Sequence, residues 1–307
     1  MDSNLNARPG DSHASLRVGW IGAGKMGAPM IRNLLSKGTS VAVTEPMDLA
    51  RAGIVADGAV EAISLEDHAS SDIVFSTVPN DKVLLDIVFG SGTDKGLIDC
   101  LRPGTVFVEM STVSPGCSGK VAEALQKAGI HYLRAPLSGS TALAEQATLT
   151  ILASGDEHAW LAAQPYLEMT SVRRFYLGAG EEARYMKLVV NTLVGATSAI
   201  LAEALALGES GGLSRASMME VICESAVASP LLKYKVDAIV SDDFTPAFTV
   251  SQMIKDFSLI NEAAHNNNVP QFVTGLILEL YRAAANSGLN DADFFALVKW
   301  HAGMSKL

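Results

Sequence analysis

The chain has few of the residues that build disulfide frameworks or metal centres. Its three cysteines, Cys100, Cys117 and Cys223, are odd in number and too far apart for either pattern, so they are expected to be reduced thiols. The six histidines are scattered, with no pair at i,i+4 and no acidic neighbour at a ligand spacing, which predicts that no metal is bound. Charge is also scarce: 18% of the 307 residues are charged, and no dense Lys/Arg run occurs. With 33 acidic against 23 basic residues, the formal net charge is -10, which argues against nucleic acid or an anionic membrane as partner. An anionic substrate would need a local positive site. No apolar run reaches the ~18 residues needed to span a bilayer without a charged, glycine or polar break. The opening MDSNLNARPGDSHAS lacks both the apolar stretch of a signal peptide and the Arg-rich, acid-poor character of a transit peptide. Residues 1–15 therefore read as a disordered tail, and the protein as cytoplasmic.

Apolar residues are what the chain has in quantity. At 49% of the sequence they suffice for a sizeable core, and the length suits about two ordinary domains. Apolar runs of strand length occur at 17–24, 40–44, 72–78, 105–111, 131–137, 148–154 and 172–177, most of them separated by helical stretches. That alternation predicts a parallel sheet covered on both faces. Beyond Gly180 only helical patterns remain, at about 181–210, 215–226, 250–265, 270–286 and 292–303, punctuated by Pro230, Pro246 and Pro270. The expected class is α/β: an N-terminal Rossmann-type doubly wound sheet over 16–179, then an all-helical domain over 180–307.

Gly22-Ala23-Gly24-Lys25-Met26-Gly27 ends the first strand and opens the first helix, a helix read from about Lys25. In that context G-x-G-x-x-G has a mechanism. Gly22 permits the tight turn, Gly24 lets a pyrophosphate approach the backbone, and Gly27 lets helix and strand pack closely. Glu45 follows Gly27 by 18 residues, near the position of an acid that meets ribose hydroxyls and repels a 2′-phosphate. NAD is therefore favoured over NADP, with Arg51 the one nearby cation that a loop could bring round. Lys25 and Met26 in the turn, and Val78 and Pro79 in the loop that closes the 72–78 strand, join the glycines as candidate cofactor contacts, although that loop alone could be an ordinary helix cap.

In YMKLVVN, Lys187 and Asn191 interrupt an apolar helix at i,i+4 and so share one face. The pair reads either as a narrow solvent stripe with a snorkelling lysine or as a catalytic cation with a partner that orients substrate.

Taken in order, VGWIGAGKMGAPM, EMSTVSP, RAPLSGS, MKLVVN and FTVSQMIKDFSL resemble the motifs of the β-hydroxyacid dehydrogenases, which include the 3-hydroxyisobutyrate dehydrogenases, from about residue 17 to 300. The resemblance implies that Lys187 is the general acid/base and that Ser138, Gly139, Ser140 and Asn191 hold a substrate carboxylate. It implies further that Thr112 and Lys255 touch the cofactor, Phe248 walls the pocket, and Asp256 pairs with a neighbour to fix its segment. The activity implied is hydride transfer between NAD and a small anionic β-hydroxy acid or its semialdehyde. Four departures stand out: Arg134 for the usual Asp, Ser140 for the second Gly of S-G-G, Ala147 for a downstream Gly, and Ala183 for the Gly ahead of the lysine. Arg134 would change the pocket charge if its side chain turned inward. An imine reductase of the same fold and a catalytically silent dinucleotide-binding module are the competing readings. The apolar circumference of the 181–210 helix predicts a homodimer or homotetramer.

Overall fold

The apolar runs of the first half become strands of one sheet in the computed structural model, which describes residues 16–304. The expected tail, residues 1–15, lies outside the described residues. The strands are β1 (Val18–Ile21), β2 (Val41–Thr44), β3 (Val60–Glu61), β4 (Ile73–Ser76), β5 (Val106–Glu109), β6 (His131–Arg134), β7 (Leu137–Ser138), β8 (Leu149–Gly155) and β9 (Ser171–Tyr176). Their order is β3-β2-β1-β4-β5-β6-β8-β7, with β9 paired to β8. Helices cover both faces, so β1, β4 and β5 are buried along their whole length. Ile21, Val74 and Phe107 enter one core, and Trp20, Phe75 and Val108 enter the other.

The parallel reading holds from β3 to β6 and needs correction beyond it. β8 runs antiparallel to β6 and to β7. The run at 131–137 breaks because Pro136 has no N–H to continue a ladder. Only a short segment containing the Thr141–Glu145 helix separates β7 from β8, less than a parallel crossover needs.

From Glu182 onward the chain is helical around a separate core. The Glu182–Ser210 helix has 29 residues, about 44 Å at 1.5 Å per residue. By length and composition it could cross a bilayer, yet Leu188, Leu201 and Leu205 are buried in the helical core. Its first turns lock onto the sheet. Arg184, fully buried, pairs with Glu109 of β5 and donates to the Ser111 carbonyl at 2.8 Å. Ser154 Oγ accepts from Ala183 N at 3.0 Å and donates to Gly180 O at 2.9 Å.

The pattern reading also missed a helix, Pro230–Ser241. Pro230 does not break structure there. It occupies the first turn, where its missing N–H costs nothing, and Ser229 caps the helix by accepting from Leu232 N at 3.2 Å.

Candidate active site

The strand order reverses at β1, between β2 and β4, and the crevice outside the carboxyl ends of these strands is where the glycine turn sits. The first helix begins at Gly27, not Lys25, because residues 24–26 form the turn itself. Gly22 has φ +91°, and a Cβ there would lie 2.3 Å from the Thr77 carbonyl oxygen. A Cβ on Gly27 would lie 2.1 Å from the Gly22 carbonyl oxygen. Gly24 has nothing within 4 Å. The outer two glycines thus fix a tight strand–helix contact, while the middle one leaves open space against bare backbone, as a pyrophosphate requires.

Glu45 follows β2, and its carboxylate is buried against the same turn. Oε2 accepts from Ala23 N at 2.6 Å and Oε1 from Met47 N at 2.9 Å. Arg51 does come round: Nη1 donates to the Glu45 carbonyl at 2.9 Å. Its other nitrogens are engaged by Asp48 at 2.6 Å and Glu61 at 3.0 Å, so the guanidinium is already shared between two carboxylates.

The next two strand ends are tied together. Val78 N donates to Ser111 Oγ at 2.7 Å, while Pro79 is exposed beside Asn80, the cap of the Asp81–Phe89 helix. Lys255 Nζ donates to the Thr112 carbonyl at 2.8 Å, across the two halves of the chain. These contacts bring the expected cofactor-side residues to one edge.

Beside them is a cavity of about 290 Å³. Ser138, Gly139, Ser140, Lys187, Asn191 and Phe248 all line it, and Lys25 and Met26 of the glycine turn close one side. Ser138 ends β7, and Gly139 at φ +144° turns the chain where a Cβ would meet Leu149 Cδ2 at 2.8 Å. Ser140 Oγ caps the short helix that follows, accepting from Leu143 N at 3.5 Å, so helix capping accounts for Ser140 but not for Ser138. Phe248 packs edge-on against Phe294, with ring centroids 6.1 Å apart.

Lys187 is half-buried on the cavity wall. Burial pushes its ammonium down to about 8; Asp256 opposes that shift and the Lys255 cation adds to it. Asn191 Nδ2 donates to Asp256 Oδ2 at 2.5 Å, which holds the amide in place and leaves its second N–H. Asp256 Oδ1 lies 3.0 Å from Lys255 Nζ, though outside hydrogen-bond geometry. Lys187 thus lines the cavity together with Asn191, which Asp256 holds in place.

Arg134 does not enter the pocket. Its Nε donates to Glu181 at 2.7 Å and to Ser118 Oγ at 3.2 Å, and its guanidinium lies 4.7 Å from the Tyr132 ring centroid. Ala147 sits at φ +56°, which explains why glycine is common there. Sequence reasoning missed Lys235, which lines the cavity from the Pro230–Ser241 helix. The Ser-Pro cap signal would have found that helix, and i,i+4 spacing would have put Leu231 and Lys235 on one face.

Residues 17–178 match the family described as the NAD binding domain of 6-phosphogluconate dehydrogenase. Residues 178–301 match the family described as NAD-binding of NADP-dependent 3-hydroxyisobutyrate dehydrogenase. The chain is 35% identical to 2-(hydroxymethyl)glutarate dehydrogenase of Eubacterium barkeri, over 93% of this chain and 94% of that one. It is 32% identical to an NAD-dependent L-serine dehydrogenase of Pseudomonas aeruginosa, over 92% and 97%. Among solved structures, the Mycobacterium tuberculosis 3-hydroxyisobutyrate dehydrogenase with L-serine superposes with a TM-score of 0.84 at 27% identity, covering 92% of this chain and 98% of that one.

Proposed function

The chain belongs to the β-hydroxyacid dehydrogenase family, and from that premise we propose that it moves a hydride between NAD and a small β-hydroxy carboxylic acid or its semialdehyde, with Lys187 carrying the proton. The observation that carries this reading is the lysine itself, held near 8 by burial in a cavity that borders the glycine turn. A group poised near neutral pH is what general acid/base work needs.

The nicotinamide, when bound, supplies the hydride acceptor or donor. In oxidation the neutral Lys187 Nζ takes the carbinol proton, and in reduction the ammonium returns it to the developing alkoxide. Ser138 Oγ, the backbone of Gly139 and Ser140, and the free N–H of Asn191 bind the substrate carboxylate. Asp256 orients Asn191, and Lys255 holds the Thr112 loop against the helical half. Glu45 would favour NAD, because a carboxylate after the second strand, beside the glycine turn, would repel a 2′-phosphate. On this reading residues 16–179 bind the cofactor, and residues 180–307 close the substrate cavity and mediate self-association.

Incubation with NAD and three- to six-carbon hydroxy acids should produce NADH. Lys187→Ala should lower kcat by ~10²–10⁴ while NAD affinity and Tm stay near wild type. Full activity in that variant would end the mechanism. Turnover of cyclic imines but no hydroxy acid would favour the imine-reductase reading, and binding of NAD without any turnover would favour the silent module.

A further inference from the structure

In a chain of net charge -10, the cavity is lined by three lysines, Lys25, Lys187 and Lys235, and among the described residues by no carboxylate. Lys25 belongs to the glycine turn and Lys187 to the reacting end. Lys235 belongs to neither. It lines the cavity from the Pro230–Ser241 helix, is 5% exposed, and its Nζ lies 5.4 Å from the centroids of the Tyr234 and Phe294 rings and 5.5 Å from that of Phe295.

Its position along the cavity follows from its neighbours. Lys187, Asn191 and Val194 line the cavity from one face of the Glu182–Ser210 helix, so the cavity runs along about two turns, or roughly 10 Å of rise. Phe294, which also lines it, is fixed to the same helix still further on, its carbonyl accepting from Ser198 Oγ at 3.0 Å. Lys235 packs on Phe294 and therefore stands toward the end of the cavity away from Lys187.

The ammonium has a partner but is not used up. One N–H goes to Asp293 Oδ2 at 2.7 Å. Asp293 is itself held by backbone, accepting from Phe295 N at 3.1 Å on Oδ1 and from Ala247 N at 3.4 Å on Oδ2. The carboxylate thus serves as a helix cap and anchors the cation, while an ammonium has three donors in all. A pair needed only for packing would be replaceable by apolar residues of similar volume, often at no cost. Here the lysine of the pair also lines the cavity.

We propose that Lys235 forms a second anion-binding subsite at the far end of the cavity, so that the preferred substrates are dicarboxylic. This inference rests on the dehydrogenase reading for its reaction. The substrate would be a β-hydroxy dicarboxylate, or the aldehyde or ketone dicarboxylate formed from it. One carboxylate lies at Ser138–Ser140 and the other on Lys235, with the reacting carbon near Lys187.

The test compares five-carbon 3-hydroxy acids ending in a carboxylate, an amide or a methyl group, on the cofactor-saturated full-length protein. Wild type should favour the terminal carboxylate in kcat/KM by about tenfold or more, the usual effect of a hydrogen bond to a charged group. Lys235→Met, combined with Asp293→Asn so that no buried carboxylate is stranded, should bring the carboxylate-to-methyl ratio to about one, and Lys235→Arg should keep most of the preference. Calorimetric titration of pentanedioate against pentanoate reads the same subsite without turnover. Wild type should bind pentanedioate more tightly, and the double variant should lose that difference. Equal kcat/KM across the three substrates in wild type, or a double variant that depresses all three equally, would overturn the subsite while leaving the dehydrogenase standing. Lys235-dependent pentanedioate binding with no turnover of any hydroxy acid would uphold the subsite and sink the proposed reaction.

Discussion

Replacing Asp256 with asparagine should move the pH at which hydroxy-acid oxidation gains rate, and move it downward. Oxidation needs neutral Lys187. With its ammonium near 8, about a quarter of the lysine is neutral at about pH 7.5, against about 0.1% for an ordinary lysine at 10.5. The environment is thus responsible for a more than hundredfold rise in the reactive form, equivalent to about 3 kcal/mol. Burial favours the neutral lysine and the Asp256 carboxylate opposes it, so removing that charge leaves burial and the Lys255 cation unopposed. A single opposite charge close by is worth about 1–3 pKa units, and with water reaching a half-buried site we take the lower figure. The rising limb of log kcat/KM for oxidation should therefore shift from about 8 to about 7 in Asp256→Asn, while the oxygen of the substituted amide can still accept from Asn191. Lys255→Met should shift the limb the other way, since that cation presses the lysine toward neutrality. In the reducing direction, where the ammonium is needed, the falling limb should move with it. The assay is initial-rate kinetics from about pH 6 to about pH 10 at saturating cofactor. A limb that stays at about 8 in Asp256→Asn, or moves up, would refute the electrostatic account of Lys187.

Glu45→Ala should narrow the preference for NAD, mainly by improving kcat/KM with NADP; a wild type that prefers NADP would show Glu45 to be misassigned. Glu109→Leu should destabilise the fold by about 3–5 kcal/mol, because it strands the fully buried Arg184, and the double variant with Arg184→Met should recover much of that in denaturant titrations. Ala147→Gly should raise stability by about 0.5–1 kcal/mol, relieving a left-handed alanine at the cost of some unfolded-state entropy; an unchanged denaturation midpoint would count against strain at that turn. Light scattering at micromolar concentration should report a dimer or larger, since Val189, Leu193, Ile200 and Leu207 form an exposed apolar stripe on the Glu182–Ser210 helix. Single chains alone would refute it. Stability should also fall as pH drops from about 6.5 toward 4: burial depresses His68, so the unfolded chain takes up a proton there before the folded one does.

What the sequence determined by itself was whatever is written within one turn or one element. The strand–glycine–helix unit, the acid after the second strand and the i,i+4 placement of Lys187 and Asn191 all depend on backbone geometry over a few residues, which residue type and spacing specify directly. The reversal at β8 was less legible, since a strand's apolar pattern says which face is buried and nothing about direction. Pro230 shows the same limit: the residue that ends one helix opens another, and only its neighbours decide which. The pairings that shape the site lay further out of reach. Arg184 meets Glu109, Arg134 meets Glu181, and Lys235 meets Asp293, all between residues distant in the chain. Any of the chain's charged residues is chemically able to make such a pair, so local pattern cannot select the partners. Tertiary packing decided them, because a buried charge is tolerated only where the fold delivers its counter-charge. That same packing kept Arg134 out of the cavity lining and made Lys235 part of it.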